Sequence, residues 1–149
     1  MKQLNARISR NERVTQNFCK MRLEAPYLAG AMKPGQFLEA RCSDRLDHLL
    51  RRPFSVHRIL KDGIEILYEV VGKGTEALSQ KRRGEYLDVI GPLGNGFDIR
   101  LTAYNLPLTA ILIAGGMGVA PLVALAEELA KKKSKISVII GARTKARLL

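Results

Sequence analysis

Gly115-Gly116-Met117-Gly118 lies between an apolar run and a helical period. Small residues there make either a tight turn or room for a diphosphate to approach the positive end of a helix. The spacing is not the Gly-x-Gly-x-x-Gly fingerprint of dinucleotide binding. Gly72-Lys73-Gly74-Thr75 is a second strand-to-helix turn, opening a short helix over Glu76 to Lys81 with Thr75 as its N-cap. Arg52-Pro53-Phe54-Ser55 sets a guanidinium, with its permanent charge and planar fork of donors, beside a stiff proline, a ring and a hydroxyl. Each stretch alone is common. No acid/base pair or nucleophile accompanies them. Cys19 and Cys42 have no Cys-x-x-Cys or Cys/His pattern around them and read as reduced strand residues. His48 and His57 are isolated and read as surface or packing residues, so no catalytic and no metal-binding residue is assigned.

The elements that position these stretches change character along the chain. Up to about residue 95, short runs with period-two alternation or β-branched content are separated by turn residues. They predict strands near Gln3 to Arg13, Asn17 to Leu23, Gln36 to Cys42, Phe54 to Ile59, Ile64 to Val71 and Tyr86 to Ile90. Ala25-Pro26 with Gly30, Lys33-Pro34-Gly35 and the hairpin signal Lys61-Asp62-Gly63 punctuate them. Six short strands of this kind suit a closed antiparallel barrel. After Asn105-Leu106-Pro107 come an apolar run, the glycine cluster, a helical period and a second apolar run, Ile136 to Ile140, which make one β-α-β unit of a parallel sheet. The expected division is therefore a barrel over 1–100 and an incomplete nucleotide-binding unit over 107–149, with the boundary between Phe97 and Pro107. Val119, Leu122, Val123, Ala126, Leu129 and Ala130 recur on one face of the helix, Pro121 marks its start, and Glu127 with Lys131 and Glu128 with Lys132 are spaced as ion pairs.

With 149 residues, 46% of them hydrophobic, the chain can bury the core of one domain, or of one small domain and part of another. Its longest apolar stretch, Leu108 to Ala114, is far short of the ~20 residues of a membrane-spanning helix, and residues 1–7 lack the apolar core of a secretory signal, so a cytoplasmic address is expected. The formal charge of +11 attracts phosphate, yet the basic residues are scattered and no aromatic nucleic-acid platform accompanies them. Anionic cofactors or an acidic protein partner explain that charge better than a specific nucleic acid.

Taken together, Arg52-Pro53-Phe54-Ser55, Leu67-Tyr68-Glu69-Val70-Val71-Gly72-Lys73-Gly74-Thr75 and Gly115-Gly116-Met117-Gly118-Val119-Ala120-Pro121 stand in the order of the ferredoxin-reductase flavoprotein family. Gly91-Pro92-Leu93-Gly94-Asn95-Gly96-Phe97 resembles the electron-transfer subunit of type B dihydroorotate dehydrogenase. The resemblance covers the whole chain. It implies a six-stranded Greek-key barrel carrying FAD, followed by a truncated β-α-β unit for NAD(P)H. Arg52 would pair with the FAD diphosphate, Pro53 would stiffen the approach, and Ser55 would reach the flavin near N5. Phe54 stands where the family more often has tyrosine, keeping a packing surface and losing a hydroxyl contact. Backbone groups of Leu67, Tyr68 and Glu69 would line the flavin, and Gly74 with Thr75 would present helix N–H groups to the diphosphate. Gly115, Gly116, Gly118 and Pro121 would meet the nicotinamide nucleotide, NADH in preference to NADPH, although Arg143 and Lys145 could accept a 2′-phosphate.

On this resemblance the chain passes electrons from NADH through FAD toward a [2Fe-2S] cluster and a dihydroorotate dehydrogenase catalytic subunit, in pyrimidine biosynthesis. It stops before the segment that supplies cluster ligands in full-length relatives, so it is expected not to bind that cluster and to oxidise NADH poorly by itself. The shortness would make it a fragment, a truncated product or a relative that kept only its flavin half. Alternatives are a ferredoxin-NADP reductase or sulfide dehydrogenase subunit, a flavin-binding module without turnover, and a basic interaction protein.

Overall fold

The structure, a computed structural model, describes residues 1–43, 50–99 and 109–148. His48, the Asn105–Pro107 turn and most of the expected domain boundary lie outside the described residues. Six strands, β1 (Lys2–Arg13), β2 (Phe18–Glu24), β3 (Phe37–Ala40), β4 (Arg52–Ile59), β5 (Gly63–Glu69) and β6 (Tyr86–Leu93), close a barrel in the order β1-β2-β5-β4-β3-β6, every pair antiparallel. The alternation read from the sequence is the cause. Ala6 and Ile8, Met21 and Leu23, Leu38 and Ala40, Ile64 and Ile66, and Leu87 and Val89 point inward and are buried, while their neighbours face out. Leu28 and Leu78 from two short helices plug the barrel: α1 (Pro26–Ala31) and α2 (Lys73–Gln80).

A parallel pair, β7 (Thr109–Gly115) and β8 (Lys135–Gly141), with α3 (Val119–Lys131) between them in sequence, forms the β-α-β unit. Leu112 packs under α3 against Leu125 and Leu129. Ile111, Ile113, Val138 and Ile139 are exposed. A parallel pair with such apolar content ordinarily has both faces covered, and among the described residues one face is not.

Four local expectations need correction. Ala25-Pro26 with Gly30 is not a plain turn but the start of α1, since proline is pre-shaped for a first helical turn. Thr75 is not an N-cap; Gly72 is, and Thr75 is the third residue of α2, its Oγ1 accepting from the Val71 and Gly72 N–H groups at 3.0 and 3.2 Å. Pro121 does lie in the first turn of the helix of the β-α-β unit, which runs from Val119 after a 3-10 turn over Gly116–Gly118, but the face it buries differs from the expected one. Its buried residues are Val119, Ala120, Ala124, Leu125 and Leu129, whereas Ala130 is exposed. The shift arises because α3 is wedged between β4 of the barrel and the β7–β8 sheet and so buries two stripes. Glu127 is drawn to Arg58 of β4 at 2.7 Å, and Glu128 pairs with Lys131 one turn on, at 3.1 Å.

Candidate functional site

β4 and β5 are neighbours in the barrel, and both run into the face that α3 approaches. This juxtaposition opens a cleft of ≈ 420 Å³ whose walls include Arg52, Ser55, Tyr68, Thr75, Met117 and Ala120. Pro53, Phe54, Leu67 and Glu69 also border it, so eight of the nine barrel residues singled out in the sequence meet in one place, as does the turn before α3. Gly74 is not on the wall. It is buried beneath Arg52, where an added Cβ would lie 3.7 Å from the guanidinium Nε.

Arg52 is exposed at the head of β4, makes only long contacts among the described residues, to the Leu50 and Arg51 carbonyls at 3.5 and 3.4 Å, and lies across the first turn of α2. A guanidinium held this loosely beside helix N–H groups is suited to an anion. Phe54 packs edge-to-face on Tyr68, ring centres 5.8 Å apart, which gives the cleft an aromatic floor. Tyr68 is buried, and burial pushes its hydroxyl well above the usual tyrosine range, with Cys19 adding to the effect, so it stays a neutral O–H donor. That donor goes to Asn11 Oδ1 at 2.9 Å. Asn11 Nδ2 in turn reaches the Leu78 and Lys81 carbonyls at 3.0 and 2.8 Å, at the end of α2. Leu67 joins Ala114, Val119 and Ala120 in a small apolar cluster that ties the barrel to α3.

A second cleft, ≈ 610 Å³, shares Glu69 with the first and is lined by Phe18, Gly115, Gly116, Gly141 and Arg143. Glu69 is ion-paired with Arg147, from the 3-10 turn after β8. Gly116 has φ +52°, a conformation that favours glycine, and nothing lies within 4 Å of the Cβ position at Gly115, Gly116 or Gly118. Gly118 and Pro121 line neither cleft. Among the described residues, no group of three or more His, Cys, Asp or Glu could hold a metal ion, and no helix is long and apolar enough to cross a membrane.

No protein-family model matches the chain. It is 43% identical over 138 residues to the dihydroorotate dehydrogenase B (NAD(+)) electron transfer subunit of Desulforamulus reducens, covering 91% of this chain and 51% of that one. The corresponding subunit of a Geobacillus species is 39% identical over 147 residues, 97% of this chain and 56% of that one. The chain is a homologue of these electron-transfer subunits. It spans about half the length of the relatives it matches. Among solved structures, NADH-dependent reduced ferredoxin-NADP oxidoreductase superposes with a TM-score of 0.81 at 29% identity, over 97% of this chain and 50% of that one. The homologue's fold is therefore the ferredoxin-reductase-type barrel followed by a parallel strand pair and its helix.

Sequence reasoning missed Asn11, Phe18, His57 and Arg147. Asn11 sits on a strand where a lone polar residue reads as a solvated face, His57 reads as a surface or packing residue, and no spacing rule links either to partners far along the chain. Arg147 is one of many scattered basic residues, and nothing in its spacing links it to Glu69.

Proposed function

We propose that the chain carries FAD in the Arg52–Thr75 cleft and meets NADH at the 115–121 turn, as the flavin-bearing part of an electron-transfer subunit serving a dihydroorotate dehydrogenase catalytic subunit. The observation that carries this reading is the shape of the first cleft. Its aromatic floor fits a flat apolar ring system, and the loosely held Arg52 guanidinium beside the start of α2 fits a diphosphate. When bound, the flavin supplies the step from two-electron to one-electron chemistry.

The chain's own residues bind and orient. Arg52 and the first N–H groups of α2, with Gly74 and Thr75, hold the diphosphate. Pro53, Phe54 and Tyr68 bound the ring, Leu67 and Glu69 offer backbone groups, and Ser55 donates near the ring's reactive edge. Gly115, Gly116 and Gly118 leave open backbone for the nucleotide, and Pro121 braces the helix start. The division into a barrel over 1–100 and a nucleotide-binding unit over 107–149 belongs to this reading. So does a cytoplasmic address, with which the free thiols of Cys19 and Cys42 accord. The lower identity to the ferredoxin-NADP oxidoreductase, 29% against 43%, favours the dihydroorotate partner.

Gel filtration after incubation with FAD tests the cofactor reading: flavin absorbance is expected to travel with the protein, and its complete loss overturns the assignment. Co-expression with a dihydroorotate dehydrogenase catalytic subunit, expected to yield a co-purifying complex, tests the partner.

A further inference from the structure

We propose that His57 is a positioning residue that sets the spacing between the strand bearing Ser55 and the turn at 116–118. The inference deepens the cofactor reading above and rests on it. β4 alternates, sending Phe54 and Val56 into the barrel core and Ser55 and His57 outward toward α3. The ladder with β5 then breaks: Val56 pairs with Ile66 but Arg58 pairs with Glu65, so His57 is the extra residue of a β-bulge. Bulges re-aim a side chain, and this one aims the imidazole at α3.

Apart from the Tyr68 hydroxyl and the two cysteine thiols, His57 is the one buried polar or charged side chain among the described residues. Its Nδ1 lies 3.0 Å from the carbonyl oxygen of Ala120, the second residue of α3. A carbonyl only accepts, so Nδ1 carries the hydrogen. Nε2 is left facing the carboxylate of Glu65, 3.9 Å away, whose Oε1 is buried with no hydrogen-bond partner among the described residues. Burial lowers the imidazole pKa, the Ala120 bond and Glu65 oppose that, and Lys20 and Arg58 add to it.

Ala120 itself lines the cleft with Ser55 and Met117. One buried bond therefore fixes the helix start against the flavin-side strand, at the level where the two cofactors would meet. Among the described residues the other polar ties between barrel and β-α-β unit, Arg58–Glu127, Glu69–Arg147 and Lys132 to the Ile99 carbonyl, lie more exposed. Reaction between two bound rings needs near-contact geometry, and a displacement of about 1 Å costs on the order of 100-fold in rate. His57 touches neither ring in this scheme; it acts through Ala120.

The test compares His57→Leu, His57→Asn and His57→Gln with wild type. Asparagine places a donor near the Nδ1 position, whereas glutamine places it near Nε2, toward Glu65. Expected first is FAD affinity within about twofold of wild type in all three, since Arg52 and α2 are untouched. Second, the Ala124 amide and its neighbours Val123 and Leu125, in the first hydrogen-bonded turn of α3, should exchange about tenfold faster in the leucine and glutamine variants and at the wild-type rate in asparagine. Third, bleaching of bound flavin at saturating NADH should slow about 10- to 100-fold in leucine and glutamine and within about threefold in asparagine. A leucine variant with wild-type exchange and bleaching, or an asparagine variant that takes up FAD yet behaves like leucine, overturns the proposal. Wild-type protein that takes up no FAD sinks the cofactor reading instead, and the exchange comparison then judges the His57–Ala120 contact alone.

Discussion

Replacing Asn11 by leucine removes the node through which the cleft floor and the end of α2 are joined. The last carbonyls of a helix lack their regular intrahelical partners, and here a single side-chain amide from β1 reaches those of Leu78, which also accepts the Lys81 N–H, and Lys81, while its oxygen takes the Tyr68 hydroxyl. Two neutral hydrogen bonds contribute about 0.5–1.5 kcal/mol each, and a buried hydroxyl stripped of its acceptor costs about 1–3 kcal/mol. The Cys19 sulfur beside Tyr68 is a weak substitute acceptor. The expected loss is therefore about 3 kcal/mol, or roughly 6–12 °C in Tm. The sharper test is the cycle with Tyr68→Phe. In wild type that change breaks a bond; in Asn11→Leu it removes a stranded hydroxyl, so it should be neutral or stabilising, with a coupling of about 1–2 kcal/mol. Urea unfolding of the four proteins without FAD measures it. Equal costs for Tyr68→Phe in both backgrounds would mean that Asn11 and Tyr68 act independently and that the network reasoning fails.

Arg52→Ala should weaken FAD binding by about 1.5–3 kcal/mol, one to two decades in Kd by fluorescence titration, with Tm of the cofactor-free chain unchanged because Arg52 is exposed; equal affinities would remove it from the site. Gly63→Ala would put a Cβ 1.8 Å from the Leu23 carbonyl oxygen, forcing β5 off β2, and should cost about 2–3 kcal/mol in denaturant unfolding. Stability should fall as pH drops below 6.5, the ordinary histidine value: burial lowers His57 in the folded state, so the unfolded chain takes the proton first, and the loss levels off below the folded value. His57→Asn should flatten that dependence between about pH 7 and pH 5. Ile113→Lys, on the exposed sheet face, should reduce concentration-dependent association in sedimentation velocity without lowering Tm.

Local rules carried much of the fold. Inward and outward residues of a strand alternate whatever the strand pairs with, so the six barrel strands, the Lys61-Asp62-Gly63 hairpin and the helix after the glycine turn were all legible in the sequence, with ends shifted by a few residues. The order of the three motif stretches also carries the resemblance to ferredoxin-reductase flavoproteins, and the barrel brings most of those residues to one cleft. What stayed hidden depended on which strands close against which. Asn11 and Tyr68 come from the first and fifth strands, and they meet through β2, which pairs with both. Periodicity predicted one apolar stripe on α3, but the helix has a barrel on one side and a sheet on the other, which moved burial to Ala120 and Ala124 and turned Glu127 from its own helix to Arg58. His57 reads as an ordinary outward strand residue until a bulge, set by the β4–β5 register, aims it at Ala120. Sequence periodicity encodes which face of an element is apolar; it carries no information on contacts made across a closed barrel, because those depend on strand order and register, which only the tertiary structure decides.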